Sequence, residues 1–196
     1  WMAFNDEIVS NGQLDQFGQP VTGNADETLH RGVELTGAAR LTPHFTVQGN
    51  ASFSRNKFER HTVFVSATES ISLDGNRISA FPDNLANVRA TYEQSGFRAS
   101  FALRYVGKQF TDNSEDNRQD PQARNVPDYT PLVLDSYSVA DLELAYNLGR
   151  ILGAKRLEVR LHTNNLFDAL YESRGESTSF FPAATRNAFL GLKLDL

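Results

Sequence analysis

Cysteine is absent from the 196 residues, and methionine and tryptophan each occur once. The lack of cysteine excludes disulfide bonds, a thiolate metal site and a cysteine nucleophile. No apolar run approaches the roughly 18 to 20 residues of a membrane-spanning helix. The net charge of −5 offers no basic surface for nucleic-acid phosphates. These absences argue against a disulfide-stabilised domain, a helical membrane protein and a nucleic-acid partner.

The composition that is present fits two classes of protein. Hydrophobic residues make up 40% and charged residues 22% of the chain, which is typical of a soluble globular domain. A transmembrane β-barrel has a similar hydrophilic average, because its lipid-facing residues alternate with polar ones. Composition alone therefore leaves both classes open.

The strongest pattern is the alternation of apolar and polar residues, which places every second side chain on one face of a β-strand. At the C-terminus, Ala188, Leu190, Leu192 and Leu194 alternate with other residues, with Phe189 as the exception. Together with the opening segment, such runs predict about eight strands of roughly nine to twelve residues, enough to cross a bilayer when tilted. The other runs lie at residues 33–41, 45–53, 86–92, 97–105, 137–148 and 157–161.

Short and long connections between these runs alternate along the chain. Alternate turns of a meander lie at opposite ends of its sheet, so one end carries only tight turns and the other carries the loops, as in outer-membrane barrels. The sequence therefore predicts an all-β fold, an antiparallel up-and-down meander, in preference to a soluble β-sandwich with shorter strands. The short turns lie near residues 42–44, 94–96 and 149–155, and the long polar segments near 10–28, 57–83, 108–134 and 169–185.

Each strand has one apolar face and one charged face, and the two faces have different predicted roles. On the apolar face, arginine at Leu144 or Leu161 is expected to cost roughly 2 to 4 kcal/mol near the bilayer midplane. The charged face is predicted to line the lumen, where opposite charges can pair. Its predicted members are Glu34, Arg89, Arg98, Arg104, Glu143, Glu158 and Arg160.

No arrangement of residues predicts an enzyme, a metal site or a cofactor. The four histidines, His30, His44, His61 and His162, have no spacing typical of a metal ligand set. The acidic segment 112–117 resembles the start of a calcium-binding loop but lacks its glycine and its bidentate glutamate. We interpret it as a solvated surface loop, with a weak cation site as the alternative.

Two local motifs stand out near the C-terminus. The segment Asn165, Leu166, Phe167 and Asp168 lies where a strand meets a long loop. Its polar side chains can satisfy backbone donors in a turn, while Phe167 packs at the membrane boundary. The chain then ends on an alternating run in which Gly191, Leu194 and Leu196 fit the terminal signal by which outer-membrane barrels are recognised for assembly. The alternative is an ordinary amphipathic edge strand.

Several landmarks, in order and over nearly the whole chain, resemble the C-terminal barrel portion of a TonB-dependent outer-membrane receptor. The final Leu196 differs from that family, whose members commonly end in an aromatic residue. The landmarks are NDEIV at 5–9, HRGVEL at 30–35, FPDNL at 81–85, RYVGKQF at 104–110, NNLFDALY at 164–171 and FFPAATRNAFLGLKLDL at 180–196.

The resemblance implies that residues 1–196 are the C-terminal part of a barrel of about 22 strands. The plug, the energy-coupling box and the first strands of the family lie before the matched segment. The implied partners are outer-membrane lipid, the receptor's own plug, the TonB complex, the barrel assembly machinery and a small-molecule metal complex. The implied location is the bacterial outer membrane, with the C-terminus in the periplasm.

An iron–siderophore complex is the expected substrate, with cobalamin, other metal complexes or glycans as alternatives. A stand-alone eight-stranded barrel with a structural or adhesin role is the competing function, and an outer-membrane hydrolase a third. Ligand contacts are expected from loops near residues 57–83, 108–134 and 169–185. The residues predicted to make them are Phe64, Arg118, Arg124, Tyr129, Arg174, Phe180 and Phe181.

Overall fold

The computed structural model describes residues 1–64, 68–151 and 153–195. Within these residues it contains fourteen β-strands and one short 3₁₀ helix. The strands are β1 (Met2–Leu14), β2 (Pro20–Thr42), β3 (Phe45–Arg60), β4 (Thr62–Phe64), β5 (Ser70–Ser72), β6 (Asn84–Gln94), β7 (Phe97–Val106), β8 (Gln109–Phe110), β9 (Val133–Leu134), β10 (Tyr137–Ile151), β11 (Ala154–Asn164), β12 (Glu172–Glu176), β13 (Ser179–Pro182) and β14 (Asn187–Asp195), and the 3₁₀ helix spans Pro121–Arg124.

Eight of these strands form one antiparallel sheet in the order β1-β2-β3-β6-β7-β10-β11-β14. Each strand pairs with the next long strand of the chain, so the predicted eight-stranded meander is confirmed. The remaining strands form three two-stranded hairpins, β4-β5, β8-β9 and β12-β13. In the part of the chain that the structure describes, no helix is long and apolar enough to span a membrane.

The predicted long loop at residues 10–28 is wrong, because β1 and β2 continue through it as a paired ribbon. Val9 lies opposite Gly23 and Ser10 opposite Thr22. The turn is closed by Asp15, whose Oδ1 accepts hydrogen bonds from the backbone N–H groups of Phe17 and Gln19. The ribbon carries polar residues on both faces, so its sequence lacks the alternation that marks a half-buried strand.

Several strands are also longer than the nine to twelve residues predicted. β2 has 23 residues, β3 has 16 and β10 has 15. At about 3.3 Å per residue, β2 is about 76 Å long, more than a tilted strand needs to cross a bilayer. The excess length of β2 and β3 lies toward the long loops, where both strands carry polar residues.

The opposite end of the sheet is closed by tight turns at the predicted positions. The turn between β6 and β7 consists of Ser95 and Gly96, with φ angles of 49° and 82°. Positive φ at both central residues is the backbone of a two-residue hairpin turn whose twist matches that of the strands. Gly149 and Gly153 also have positive φ, 69° and 86°, next to the turn between β10 and β11.

The two faces of the sheet differ in chemistry. On the apolar face, large side chains remain in contact with solvent; Val33 is 58% exposed and its cross-strand partner Phe53 is 51% exposed. On the polar face, the sheet forms a depression of about 590 Å³ lined by polar side chains that include Arg89, Arg104 and Asp141. A buried apolar cluster lies near the loop end, where residues of β1, β2 and β3 pack against the β3–β6 connection; it comprises Val9, Ala25, Phe58, Leu73 and Ile78.

Candidate functional site: the loop layer

Three long connections lie at the same end of the sheet and pack together. We call them loop A (residues 61–83), loop B (residues 107–136) and loop C (residues 165–186), and together the loop layer. Each contains one of the two-stranded hairpins. They meet because alternate connections of a meander emerge at the same end of the sheet.

Asn113 of loop B is the central residue of this layer. Its Nδ2 donates to the carbonyl of Ser10 in β1 at 2.5 Å, and its Oδ1 accepts from the backbone N–H of Ser79 in loop A at 2.9 Å. Its own carbonyl accepts from Nδ2 of Asn76 at 2.9 Å. With a side chain only 5% exposed, Asn113 joins loop A, loop B and the first strand through one buried group.

Loop C is attached to the same layer by backbone contacts. The backbone N–H of Ser177 donates to the carbonyl of Thr111 at 2.9 Å. At Gly175, a Cβ atom would lie 2.4 Å from Cγ2 of Thr111, so only glycine permits this approach. The hydroxyl of Ser10 also donates to the carboxylate of Glu176. The hairpin of loop C therefore extends across the loop end to β1.

Glu115 binds two arginines between loops A and B. Its carboxylate lies 3.7 Å from Nε of Arg77 and 3.4 Å from Nε of Arg118. Nε of Arg118 also donates to Oδ1 of Asn76 at 2.8 Å. Arg118, predicted from the sequence as a ligand residue, is thus placed against loop A, and the guanidinium remains partly accessible at its edge.

Asp116 organises the rest of loop B. Its Oδ1 accepts from the hydroxyl of Tyr129 at 2.6 Å and from the backbone N–H of Leu132 at 2.9 Å. Nε of Arg124 lies 3.6 Å from the other carboxylate oxygen. Burial and the hydrogen bond to Asp116 raise the pKa of Tyr129. Two further predicted ligand residues, Arg124 and Tyr129, are therefore engaged within the loop itself.

The acidic segment that resembles a calcium loop forms a turn network instead. Oδ1 of Asp112 accepts from both the backbone N–H and the hydroxyl of Ser114. Burial raises the pKa of the Asp112 carboxyl, and the two bonds from Ser114 oppose that rise. Among the described residues, no three His, Asp or Glu side chains converge as a group that could hold a metal ion.

The remaining predicted ligand residues lie in loops A and C. The guanidinium of Arg174 lies 5.7 Å from the ring centre of Phe181 and 4.0 Å from the Glu176 carboxylate. Phe181 is 40% exposed, Phe180 is half-buried, and Phe64 in β4 is 80% exposed. The structure places Arg174 with Phe181, and Arg124 with Tyr129, but it does not gather all seven residues at one point.

Four residues hold the layer together: Asn76, Asn113, Glu115 and Asp116. From the sequence, Asn76 was not singled out, and the other three were interpreted only as part of a solvated acidic loop. Their partners lie in other loops, so local spacing carried no signal for them. The nearest sequence signal was the run of Asp and Asn residues in this segment, because these residue types adopt positive φ angles more readily than most. In the structure Glu115, Asp116 and Asn117 have φ angles of 54°, 58° and 55°.

The motif at residues 165–168 closes the start of loop C. Oδ1 of Asn165 accepts from the N–H of Ala169 at 2.8 Å, and its Nδ2 donates to two backbone carbonyls. Oδ1 of Asp168 accepts from the N–H of Arg186 at 2.7 Å. The N–H of Leu166 donates to the carbonyl of Ala140 at 2.7 Å, and Phe167 projects outward, 72% exposed.

The seven residues predicted to line the lumen all lie on the polar face. The register across neighbouring strands shows this: Glu34 is opposite Ser52, and Arg104 is opposite Asn87. Arg98, Glu158 and Arg160 pair with a group of opposite charge, Glu143 lies beside a histidine, and the others have neither neighbour among the described residues. The pairs are Arg98 with Glu93 at 3.2 Å, Glu143 with His162 at 3.7 Å, and Glu158 with Arg156 at 2.6 Å and Arg160 at 2.8 Å, whereas Arg89 and Arg104 line the depression.

The predicted assembly signal lies on the last strand. Gly191 is opposite Arg160, and Leu194 is opposite Leu157 on the apolar face, where Leu194 is 53% exposed. Leu196 lies outside the described residues. Among the described strands, β14 is paired with β11 alone.

A long meander with an apolar outer face, a polar concave face and one layered loop end defines this chain as part of a large β-barrel. The family described as TonB dependent receptor-like, beta-barrel matches residues 1–166. The chain therefore belongs to this family, as its motifs predicted. No curated protein matches the chain in sequence.

Solved receptor structures share the fold. The siderophore receptor PiuA from Acinetobacter baumannii is 18% identical with a TM-score of 0.69, and the match covers 94% of this chain and 23% of that one. The ferric-catecholate import receptor Fiu from Escherichia coli K12, in its closed form, is 19% identical with a TM-score of 0.65, over 97% and 23%. BauA, the ferric preacinetobactin receptor from A. baumannii, is 16% identical with a TM-score of 0.66, over 100% and 25%. The chain thus spans about a quarter of these receptors.

Proposed function

We propose that this chain is the C-terminal part of the barrel of an outer-membrane receptor that imports an iron–siderophore complex with energy supplied through TonB. The observation that carries the proposal is the loop layer, which joins three loops into one surface above a two-faced meander. The family supports the receptor class, and the structural relatives named as siderophore receptors support the substrate class.

The apolar face accounts for the membrane location that we propose. Exposed aliphatic and aromatic side chains run along it from β2 to β14, including Leu35, Tyr146 and Leu192. In water such a face would promote aggregation, whereas in a bilayer its apolar side chains contact the acyl chains of the lipids. With the long loops outside the cell, β14 then runs toward the periplasm and its end is available to the assembly machinery.

The polar face suits a plug domain. Arg89 and Arg104 have no carboxylate partner among the described residues and face the depression. Their guanidinium groups are available to an acidic or carbonyl group supplied by another part of the receptor. In this proposal the plug and the TonB complex belong to the full-length protein.

The ligand surface that we propose is the accessible side of the loop layer. Arg174 and Phe181 place a cation against an aromatic ring, an arrangement that can contact a planar, negatively charged ligand by charge and by stacking. Phe64 offers a second exposed ring. Arg118 and Arg124 remain partly exposed at 45% and 40% of their side chains.

The test uses the full-length receptor that contains this segment. Binding constants for a panel of ferric siderophores, with a copper complex included, would be measured by quenching of intrinsic fluorescence. We expect R174Q and F181A each to weaken binding of one ferric complex by about tenfold, the range of a partly buried cation–aromatic contact. R150Q, which changes an exposed arginine at the tight-turn end, is the control.

Failure of every ferric complex to bind the wild-type receptor would contradict the substrate. Binding that is unchanged in both loop variants would contradict the proposed surface. Iron uptake by cells would then separate binding from transport. A protein that binds the ferric complex but does not import it would fit the adhesin-like alternative and not a transporter.

A further inference from the structure

Two arginines lie directly opposite each other on the apolar face. Arg31 of β2 and Arg55 of β3 are cross-strand partners in an uninterrupted register that also pairs Val33 with Phe53. Both are exposed. Among the described residues neither guanidinium has a hydrogen bond or an ion pair. Like charges in this position repel each other and destabilise a sheet, so an anion bound between the two guanidinium groups would relieve the repulsion.

The carboxylates near this pair are bound to other cations. Glu59 lies 2.7 Å from Nζ of Lys57, and Glu27 lies 3.9 Å from Nη2 of Arg60. Asp83, which follows the proline beside this strand end, binds Arg77 at 3.1 Å. The described chain therefore leaves Arg31 and Arg55 without a neutralising group on their own face.

The position of the pair identifies the kind of anion. Val33 and Phe53, one step along each strand on the same face, are more than half exposed. The arginines thus sit at the end of the apolar surface, on the side of the loop layer. In a barrel embedded in lipid, this is the height at which headgroup phosphates lie next to the protein.

We propose that Arg31 and Arg55 form a clamp for the phosphate of a lipid headgroup. Each guanidinium can donate two parallel hydrogen bonds to phosphate oxygens, and one phosphate between them neutralises both charges. The acyl chains of the same lipid then lie along Val33 and Phe53. This inference rests on the proposed membrane location of the apolar face, but not on the proposed substrate.

The experiment measures lipid binding to the full-length receptor in a non-ionic detergent by native mass spectrometry. The probes are dioleoyl phosphatidic acid and dioleoylglycerol, which differ only in the phosphate. We expect phosphatidic acid to bind and dioleoylglycerol not to bind. Competition with inorganic phosphate at equal concentration should leave the lipid bound, since the acyl chains contribute to its affinity; displacement at that concentration would overturn the lipid assignment in favour of free phosphate.

The variants are chosen to separate the clamp from a general electrostatic effect. R31Q and R55Q should each weaken phosphatidic acid binding about fivefold, and the double variant about thirtyfold, from the usual contribution of one cation to an anionic headgroup. R40Q is the matched control, since Arg40 lies on the same strand at the tight-turn end and donates to the carbonyl of Pro43. Equal losses in R40Q and the double variant, or none in either, would overturn the clamp.

R55E gives a second readout that does not depend on lipid. It places a carboxylate opposite Arg31, so we expect lipid binding to be lost while the melting temperature of the detergent-solubilised receptor rises. A fall in melting temperature would show that the two side chains do not face each other and would overturn the geometry. Ferric-ligand binding should be unchanged in all these variants, so failure of the clamp and failure of the proposed substrate are separate results.

Discussion

The sheet and the loop layer are built by different means. In the sheet, every strand pairs with the next long strand, either through a short turn or across one of the loops A, B and C. In the loop layer, single polar groups bind backbone atoms far away in sequence, as Asn113 does with Ser10 across 103 residues. The comparison shows that the sheet tolerates most exchanges that keep the alternation, whereas the layer depends on a few individual groups.

The largest effect is expected from a charge on the apolar face of the sheet. Leu144 lies opposite Leu161 across β10 and β11, and L144R should destabilise the barrel by roughly 2 to 4 kcal/mol if the site is near the bilayer midplane. Urea unfolding of the full-length receptor in lipid vesicles measures this. E143Q, the adjacent residue on the polar face, is the control, and a loss as large as that of L144R would show that the two faces are not distinct.

A smaller effect, confined to the loop layer, is expected from N113A. This change leaves the backbone groups of Ser10 and Ser79 without their buried partner, at a cost of about 1 to 3 kcal/mol. Hydrogen exchange of the full-length receptor should rise in loops A and B and at the end of β1, while the middle of the sheet stays protected. N125A is the control, because the partner of Asn125 among the described residues is Gln122 in its own loop. Faster exchange limited to loop B would contradict the central role of Asn113.

The smallest effect concerns pH and Asp112. Burial raises the pKa of this carboxyl in the folded layer, so the folded state favours the protonated form. The layer is therefore least stable above the raised pKa, and the penalty disappears as the pH falls toward the unfolded value of 3.8. D112N keeps the acceptor for Ser114 and removes the charge. Loop B should exchange more slowly in D112N than in wild type at pH 7 and equally at low pH; faster exchange at pH 7 would contradict the assigned cause.

The sequence predicted the sheet well because its pattern is local. Alternation at residues 86–92 and 97–105, with the turn between them, predicted a hairpin, and the structure confirms it. It failed at residues 10–28, where polar residues are so frequent that no regular alternation of apolar and polar residues appears. Backbone hydrogen bonds pair the two strands there, and such bonds impose no pattern on the sequence of side chains.

The loop layer could not be derived in the same way. Arg118, Arg124 and Tyr129 were predicted as ligand residues, whereas their partners Glu115 and Asp116 were interpreted as part of a solvated loop. The role of these residues depends on which loops lie next to each other, and the three-dimensional arrangement of the strands determines that. Substrate contacts remain a prediction for the same reason, since the sequence around an exposed group such as Phe64 does not reveal what that group contacts.

The ribbon formed by β1 and β2 has a practical consequence for experiments on living cells. At its tip, residues 15–19, the backbone N–H groups of Phe17 and Gln19 donate to Oδ1 of Asp15, and that of Gly18 donates to the Asp15 carbonyl. Among the described residues, none of these bonds reaches the loop layer. An epitope or fluorophore-binding peptide inserted beside Gly18 would therefore leave the strand pairs and the loop layer intact. The same site would report by antibody accessibility on which side of the membrane the long loops lie.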